Sequence, residues 1–245
     1  MRYLKRLIRN LLPQAVKDLG IPRKISGRWI FLPLEISRYF PARHEKDKFD
    51  FISQNAFGTA LDLGAHVGLF TVQLSRKCDK VVAFEPTEDT FRILRRTLNL
   101  NNCSNVEIRV DAVSNICGEI EFYITDDVAS CLNSTAPIGT PKKVKSITVD
   151  SLNYKFNYIK MDIEGSEFKA LSGAIKTLNY VTAMSLEIHP RLLLMQGDSP
   201  DDVFDLLAHY SPTYFLGGKV VAEELLRPKQ EIYEVNVTFS NAQNR

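Results

Sequence analysis

Between Ala60 and His189, short apolar runs alternate with segments of helical period, and each run ends at a group that can do chemistry. Ala60–Leu63 carries Asp62 and opens into the glycine turn Gly64-Ala65-His66-Val67-Gly68. Val81–Phe84 stops at Glu85, Val106–Val110 at Asp111, Tyr158–Met161 at Asp162, and Val181–Ile188 at His189. Apolar runs this short, bounded by turn residues, read as buried strands. The segments between them read as helices. Phe91, Leu94 and Leu98 share one inward face; Phe168, Leu171, Ile175 and Leu178 share another, on a helix expected from Ser166 to Leu178. Such alternation predicts an α/β fold, an open and mostly parallel sheet with helices on both faces. Ligands of these sheets bind beyond the carboxyl ends of the strands, where all five groups gather.

The alternation does not cover the whole chain. Residues 1–50 form an extension interrupted by Pro13, Pro22, Pro33 and Pro41, which leaves no room for a long helix. The domain proper is expected over 51–245. Inside it, Glu119–Ile124 and Lys145–Val149 alternate polar and apolar residues as exposed strands do. Between them, residues 125–143 read as a long loop and a candidate lid, with Ser130, Asn133, Ser134 and Thr135 available to a polar ligand. A helix over Pro200–Tyr210 has Ser199 as its N-cap. Thr213–Leu216 and Ile232–Phe239 close the chain as an antiparallel pair.

In the extension, Leu4, Leu7, Ile8, Leu11 and Leu12 stand at helical spacing, with Arg2, Lys5, Arg6 and Arg9 on the other side. A basic amphipathic helix of this kind can lie on anionic lipid. It can equally pack its leucines on its own domain or on a second subunit. The chain of 245 residues has a formal net charge of +2, which argues against a general affinity for nucleic acid. No apolar run reaches the ~18 residues of a membrane span. Cys78, Cys103, Cys117 and Cys131 form no CxxC pair, and are expected to be reduced thiols in a cytoplasmic protein.

The glycine turn and Glu85 together describe a nucleoside site. A carboxylate at the tip of the second strand accepts both ribose hydroxyls. A dinucleotide fingerprint needs glycine where His66 stands, so a pyrophosphate would press on a side chain. S-adenosylmethionine (SAM) has no phosphate and needs only backbone at Gly64, Ala65, His66 and Gly68. Asp62 would hold its ammonium, Glu85 its ribose, and Asp111 with Ala112 its adenine.

Two stretches also carry a family likeness: Leu61-Asp62-Leu63-Gly64-Ala65-His66-Val67-Gly68 with Phe84-Glu85-Pro86, and Lys160-Met161-Asp162-Ile163-Glu164-Gly165-Ser166-Glu167 with the later Glu187-Ile188-His189. The chain resembles the FkbM-type SAM-dependent methyltransferases over about residues 55–190. The resemblance implies a Rossmann-like, seven-stranded class I methyltransferase fold, here with a helical N-terminal extension. It implies O-methylation, often of a sugar hydroxyl in a glycan, glycolipid or natural product. Two alternatives stay open: a NAD-dependent oxidoreductase on the same kind of sheet, and a non-catalytic SAM-binding partner module.

A sugar hydroxyl is a poor acid, so a base or a metal is expected. The candidates are Asp162, Glu164, Glu167, Glu187 and His189, with His189 suited by its intrinsic pKa. Glu164 and Glu187 would orient it, grip sugar hydroxyls, or join Asp162 around a cation. Oxygen ligands with one imidazole suit Mg²⁺ or Mn²⁺ better than zinc. Glu167 reads as a residue favouring the start of its helix, and Lys160 as a partner for a nearby carboxylate.

Overall fold

The computed structural model describes residues 19–124, 135–227 and 231–240, with Pro13 and Val16. The amphipathic run of residues 1–12 and most of the candidate lid lie outside them. The described part of the extension contains a β-hairpin, in which β1 (Gly20–Ile25) pairs antiparallel with β2 (Arg28–Pro33). Helix α1 (Lys46–Asn55) follows and runs across residue 50, so no break in structure marks the boundary expected there.

From Thr59 the strand–helix rhythm holds. The elements are β3 (Thr59–Leu63), α2 (Leu69–Ser75), β4 (Lys80–Phe84), α3 (Glu88–Leu100) and β5 (Val106–Arg109). A small sheet interrupts, made of β6 (Ala112–Val113), β7 (Gly118–Ile124) and β8 (Thr140–Ile147). The rhythm resumes with β9 (Tyr158–Met161), α4 (Glu167–Ser172), α5 (Ile175–Leu178), β10 (Ala183–Ile188), α6 (Pro190–Met195) and α7 (Pro200–Ala208). Strands β11 (Pro212–Leu216), β12 (Lys219–Val221) and β13 (Tyr233–Phe239) end it.

The central sheet has the order β12-β11-β13-β10-β9-β3-β4-β5. Its middle, β10-β9-β3-β4-β5, is parallel. Strand β13 runs antiparallel between β10 and β11. Seven strands therefore form the expected sheet, and β12 adds a short eighth at the edge. Successive side chains of a strand point to opposite faces, so Leu61 and Leu63 join one apolar layer and Ala60 the other. Burial on both faces is why these strands read as continuous apolar runs.

Two local expectations are corrected and a third is met. The single helix over 166–178 is two helices. Asp150 receives the N–H groups of Lys176 and Thr177 at 2.9 and 2.8 Å, and its own N–H donates to the Gly173 carbonyl. That side chain caps a new helix start inside the predicted one. Ile175 consequently turns outward and is 44 % exposed. Strand β8 begins at Thr140, inside the expected 125–143 loop, because it pairs residue by residue with β7. At Ser199 the expected cap forms a full capping box with Asp202.

Candidate active site

Strands β3 and β9 are neighbours whose following loops leave in different directions. A crevice opens at their carboxyl ends, between the glycine turn, the loop after β9 and the small sheet. Gly64 has φ +74°, and a Cβ there would lie 1.8 Å from the Asp162 carbonyl oxygen. Only glycine lets these two loops meet. His66 then adopts φ +49°, which aims its backbone N–H at Glu85 Oε2 at 3.0 Å. The Thr87 N–H donates to Glu85 Oε1 at 2.9 Å. Glu85 is thereby fixed in the crevice wall with acceptor lone pairs to spare. Burial pushes its pKa up to about 7, against the pull of the Thr87 and His66 amides and the Lys160 ammonium.

Gly64, Ala65, His66, Glu85 and Ala112 line the crevice, and three other expected cofactor contacts, Asp62, Gly68 and Asp111, do not. Asp62 is fully buried behind the turn. It accepts a hydrogen bond from Thr71 Oγ1 at 2.6 Å, with Lys160 Nζ 3.6 Å from its other oxygen. The ammonium nearest Asp62 is thus the protein's own, and Lys160 also donates to the Gly64 carbonyl at 2.7 Å. Asp111 lies two residues past the end of β5 and pairs with Lys145 on β8 at 3.4 Å. Gly68 sits at the N-terminus of α2 with φ +94°.

On the opposite wall the acidic groups after β9 meet those after β10. Asp162 and Glu164 line the crevice, while His189 is 1 % exposed and lies behind them. His189 Nδ1 donates to Glu167 Oε1 at 2.8 Å. Its Nε2 faces Glu164 at 3.3 Å, Glu187 at 3.7 Å and Asp162 at 3.9 Å. Burial works against the imidazolium. The hydrogen bond to Glu167 and the charges of Glu167, Glu164 and Asp162 outweigh it and raise the pKa of His189 to about 9. At neutral pH this histidine holds its proton and is no free base.

Glu164 stands in the reverse condition. Burial, with Asp162, Glu187 and Glu167 nearby, lifts its pKa to about 8 despite the pull of His189. Its Oε2 is a buried oxygen with no hydrogen bond. The residue has φ +52°, a conformation that side chains with a Cβ rarely adopt. Strain of this kind collects where a side chain must be aimed. Asp162 moves the other way: burial opposes its ionisation, but Lys160 and Lys48 hold its pKa below the usual range. Two carboxylates with pKa values driven apart are a recognised arrangement for dividing roles at a site.

Glu167 was legible in the sequence as a candidate, and the residues of the extension went unread. Glu167 does more than start a helix: it is fully buried, takes the Gly165 N–H at 2.9 Å and orients His189. The extension brings Phe40, His44 and Glu45 into the crevice wall. Lys48 sits on the buried face of α1 with Ile52, and its ammonium lies 2.5 Å from Glu45, 2.9 Å from Glu187 and 3.5 Å from Glu234. The available signal was a lysine four residues before Ile52, in register with an apolar stripe. Glu45, Glu187 and Glu234 could gather around a cation, and Lys48 supplies it. Asp162, Glu164 and His189 form a second group whose ligand atoms lie within 4.8 Å of one another. Of the candidate lid, Thr135 is described; it lines the crevice and hydrogen-bonds Ser166 at 2.6 Å.

The methyltransferase FkbM domain matches residues 62–212. The hexuronic acid methyltransferase AglP of Haloferax volcanii is 29% identical over 181 residues, covering 71% of this chain and 72% of that protein. Methyltransferase 1 of Beauveria bassiana is 26% identical over 141 residues, 46% of this chain and 57% of its own length. A Streptococcus mutans protein solved in complex with SAH superimposes with a TM-score of 0.51 at 15% identity, over 80% of this chain and 98% of that one. That likeness speaks to the fold.

Proposed function

The chain belongs to the FkbM methyltransferase family, and from that premise we propose that it transfers a methyl group from SAM to an oxygen of a saccharide. The family supports the transfer, and the relative that acts on hexuronic acid supports a sugar acceptor. The residues suit the cofactor. The Gly64 turn presents bare backbone, and Glu85, pinned by two N–H groups, offers its remaining lone pairs to ribose hydroxyls. SAM supplies an electrophilic methyl group.

One arrangement carries the assignment of the base: Glu164 lines the crevice, and its buried Oε2 makes no hydrogen bond and lies 3.3 Å from His189 Nε2. In this reading Glu164 accepts the proton of the acceptor hydroxyl. Buried His189, held by Glu167, keeps a positive charge beside it and stabilises its ionised form. The pair must therefore be ionised at Glu164 and protonated at His189. That state forms as pH rises through about 8 and is lost above about 9. A bell-shaped kcat/KM profile with an optimum between those values is expected; the two limbs belong to the coupled pair. A profile flat from pH 6 to 10 would remove Glu164 from the role.

The cofactor site has its own test. Glu85→Ala is expected to weaken SAH binding by about tenfold or more in calorimetry, since two ribose hydroxyls lose their acceptor. The acceptor class is tested with labelled SAM and a panel of neutral, amino and uronic glycosides. Label passing to RNA or to a non-sugar metabolite, and to no glycoside, sinks the saccharide reading. A divalent cation held by Asp162, Glu164 and His189 is the second reading, favoured by their closeness. Chelator-treated protein keeps its rate under the first reading and loses it under the second. Cys78, Cys103 and Cys117 are free thiols, which is the support for placing the protein in the cytoplasm.

A further inference from the structure

The outer face of the hairpin β1–β2 has no part in the crevice chemistry. Its exposed positions alternate with buried Ile30 and Leu32, so one face packs inward and the other is bare. On the bare face Trp29 is 59 % exposed and Phe31 42 %, and Leu19, just before β1, is 54 % exposed. Across the ladder Trp29 stands opposite Lys24, and Phe31 opposite Pro22.

This exposure does not come from looseness. The Phe31 N–H donates to Asn101 Oδ1 at 3.0 Å, and Asn101 Nδ2 donates to the Phe31 carbonyl at 2.7 Å. Arg28 ties the hairpin to Asp50 and Ser53 at 3.0 and 2.7 Å. A rigid strand thus holds two aromatic rings outward.

Charge follows the same division of the chain. Residues 1–45 carry ten Lys and Arg against three Asp and Glu, while the remaining 200 carry 21 against 26. The near-neutral whole hides a basic extension on an acidic domain. We propose that the outer face of the hairpin, with Trp29, Phe31 and Lys24, docks the protein on an anionic lipid bilayer. Trp combines an apolar ring with an N–H donor and settles at the headgroup boundary. Basic residues beside it draw anionic headgroups within a Debye length. Single-stranded nucleic acid would answer the charge and stack on the rings, but it would leave the aliphatic Leu19 without an apolar partner, which a bilayer supplies.

Docking has a geometric consequence for the crevice. At the hairpin turn the Ser26 N–H donates to the Ala42 carbonyl and its Oγ to the His44 carbonyl, both at 2.7 Å. His44 lines the crevice. The hairpin and the crevice rim therefore move as one piece, and a docked hairpin sets the crevice at a defined place relative to the bilayer. The inference does not depend on which oxygen is methylated.

Trp29 is the chain's single tryptophan and reports the contact directly. The full chain is mixed with phosphatidylcholine vesicles containing or lacking roughly 30 % phosphatidylglycerol. With the anionic vesicles Trp29 emission is expected to shift to the blue and to be quenched by brominated lipid, and about 1 M NaCl to weaken the binding. Phe31→Ser and Lys24→Glu, which keep the reporter, are each expected to lower partitioning on the order of tenfold. Both are expected to retain wild-type SAH affinity, which shows that they fold. Four results overturn the proposal: no partitioning, partitioning with unchanged Trp29 emission, a blue shift that follows protein concentration without lipid, or a response to an RNA oligonucleotide that vesicles do not produce.

Discussion

Glu164→Gln is expected to lower kcat by roughly 10²–10⁴-fold, the range for loss of a general base, while SAH affinity stays within about twofold of wild type. Glutamine keeps the shape of the side chain and removes its ability to accept a proton. The buried Oε2 makes no hydrogen bond, so the change costs the fold its ion pair with His189 and little else. Glu167→Gln gives the matching control for a positioning residue. It should shift the alkaline limb of the pH profile down, because the hydrogen bond and charge that sustain the His189 proton are weakened. His189→Gln should abolish that limb. Single-turnover rates with a neutral glycoside would separate these effects from product release. The experiment also distinguishes acceptors. A hydroxyl needs a base and a uronate carboxylate does not. If Glu164→Gln keeps most of its kcat, the nucleophile is already ionised when it binds, and the base assignment fails.

Lys48→Met should be the most damaging single change to stability outside the catalytic groups. The ammonium is almost fully buried, with Glu45, Glu187 and Glu234 around it. Burial disfavours its charge, yet those carboxylates and Asp162 raise its pKa well above the usual value for lysine. Removing one member of a buried ionic cluster leaves the others uncompensated, at about 3–5 kcal/mol. The glutamates are partly wet, so the lower end of that range applies. Burial and its acidic neighbours already lift Glu234 to about 7 against the pull of Lys48, and losing that ammonium would raise it further.

The pH dependence of that loss has a definite sign. A lysine with a raised folded pKa stabilises fully below its unfolded value, about 10.4, so the wild-type ammonium persists throughout the neutral range. Glu45 is held far below its usual pKa, so its contribution is present above the unfolded value and fades in acid. In the variant, lowering the pH protonates the crowded glutamates and relieves their repulsion. The gap in urea-unfolding free energy between wild type and Lys48→Met should therefore be widest near pH 8 and shrink toward pH 5. A gap that widens in acid would show that the cluster does not depend on the ammonium.

The order of strands and helices was legible because it rests on local physics. Val81–Phe84 is a continuous apolar run, as a strand buried on both faces requires. Helix α3 showed its inward face at Phe91, Leu94 and Leu98, and all three are buried. The strand-end rule then brought Glu85, Asp162, Glu164 and His189 to one edge of the sheet. Local physics misled where a distant partner intervened. The side chain of Asp150 divided a helix that periodicity had drawn as one, and pairing with β7 carried β8 into an expected loop. Position alone suggested ligand contacts for Asp62 and Asp111, and the fold sets Thr71 and Lys160 beside the first and Lys145 beside the second.

The sequence by itself determined the α/β architecture, the glycine turn and the family, because periodicity, backbone conformation at Gly64 and the Lys160–Glu167 run are written in neighbouring residues. Only the tertiary structure decided which acidic group is free to act. His189 has a fitting pKa in isolation, but folding surrounds it with Glu167, Glu164, Glu187 and Asp162 and fixes its proton. The same fold sets a buried Glu164 oxygen that makes no hydrogen bond 3.3 Å from His189, and brings Lys48 across 139 positions to Glu187. Proton affinity depends on burial and on charges a few ångströms away, and those distances exist only once the chain has closed on itself.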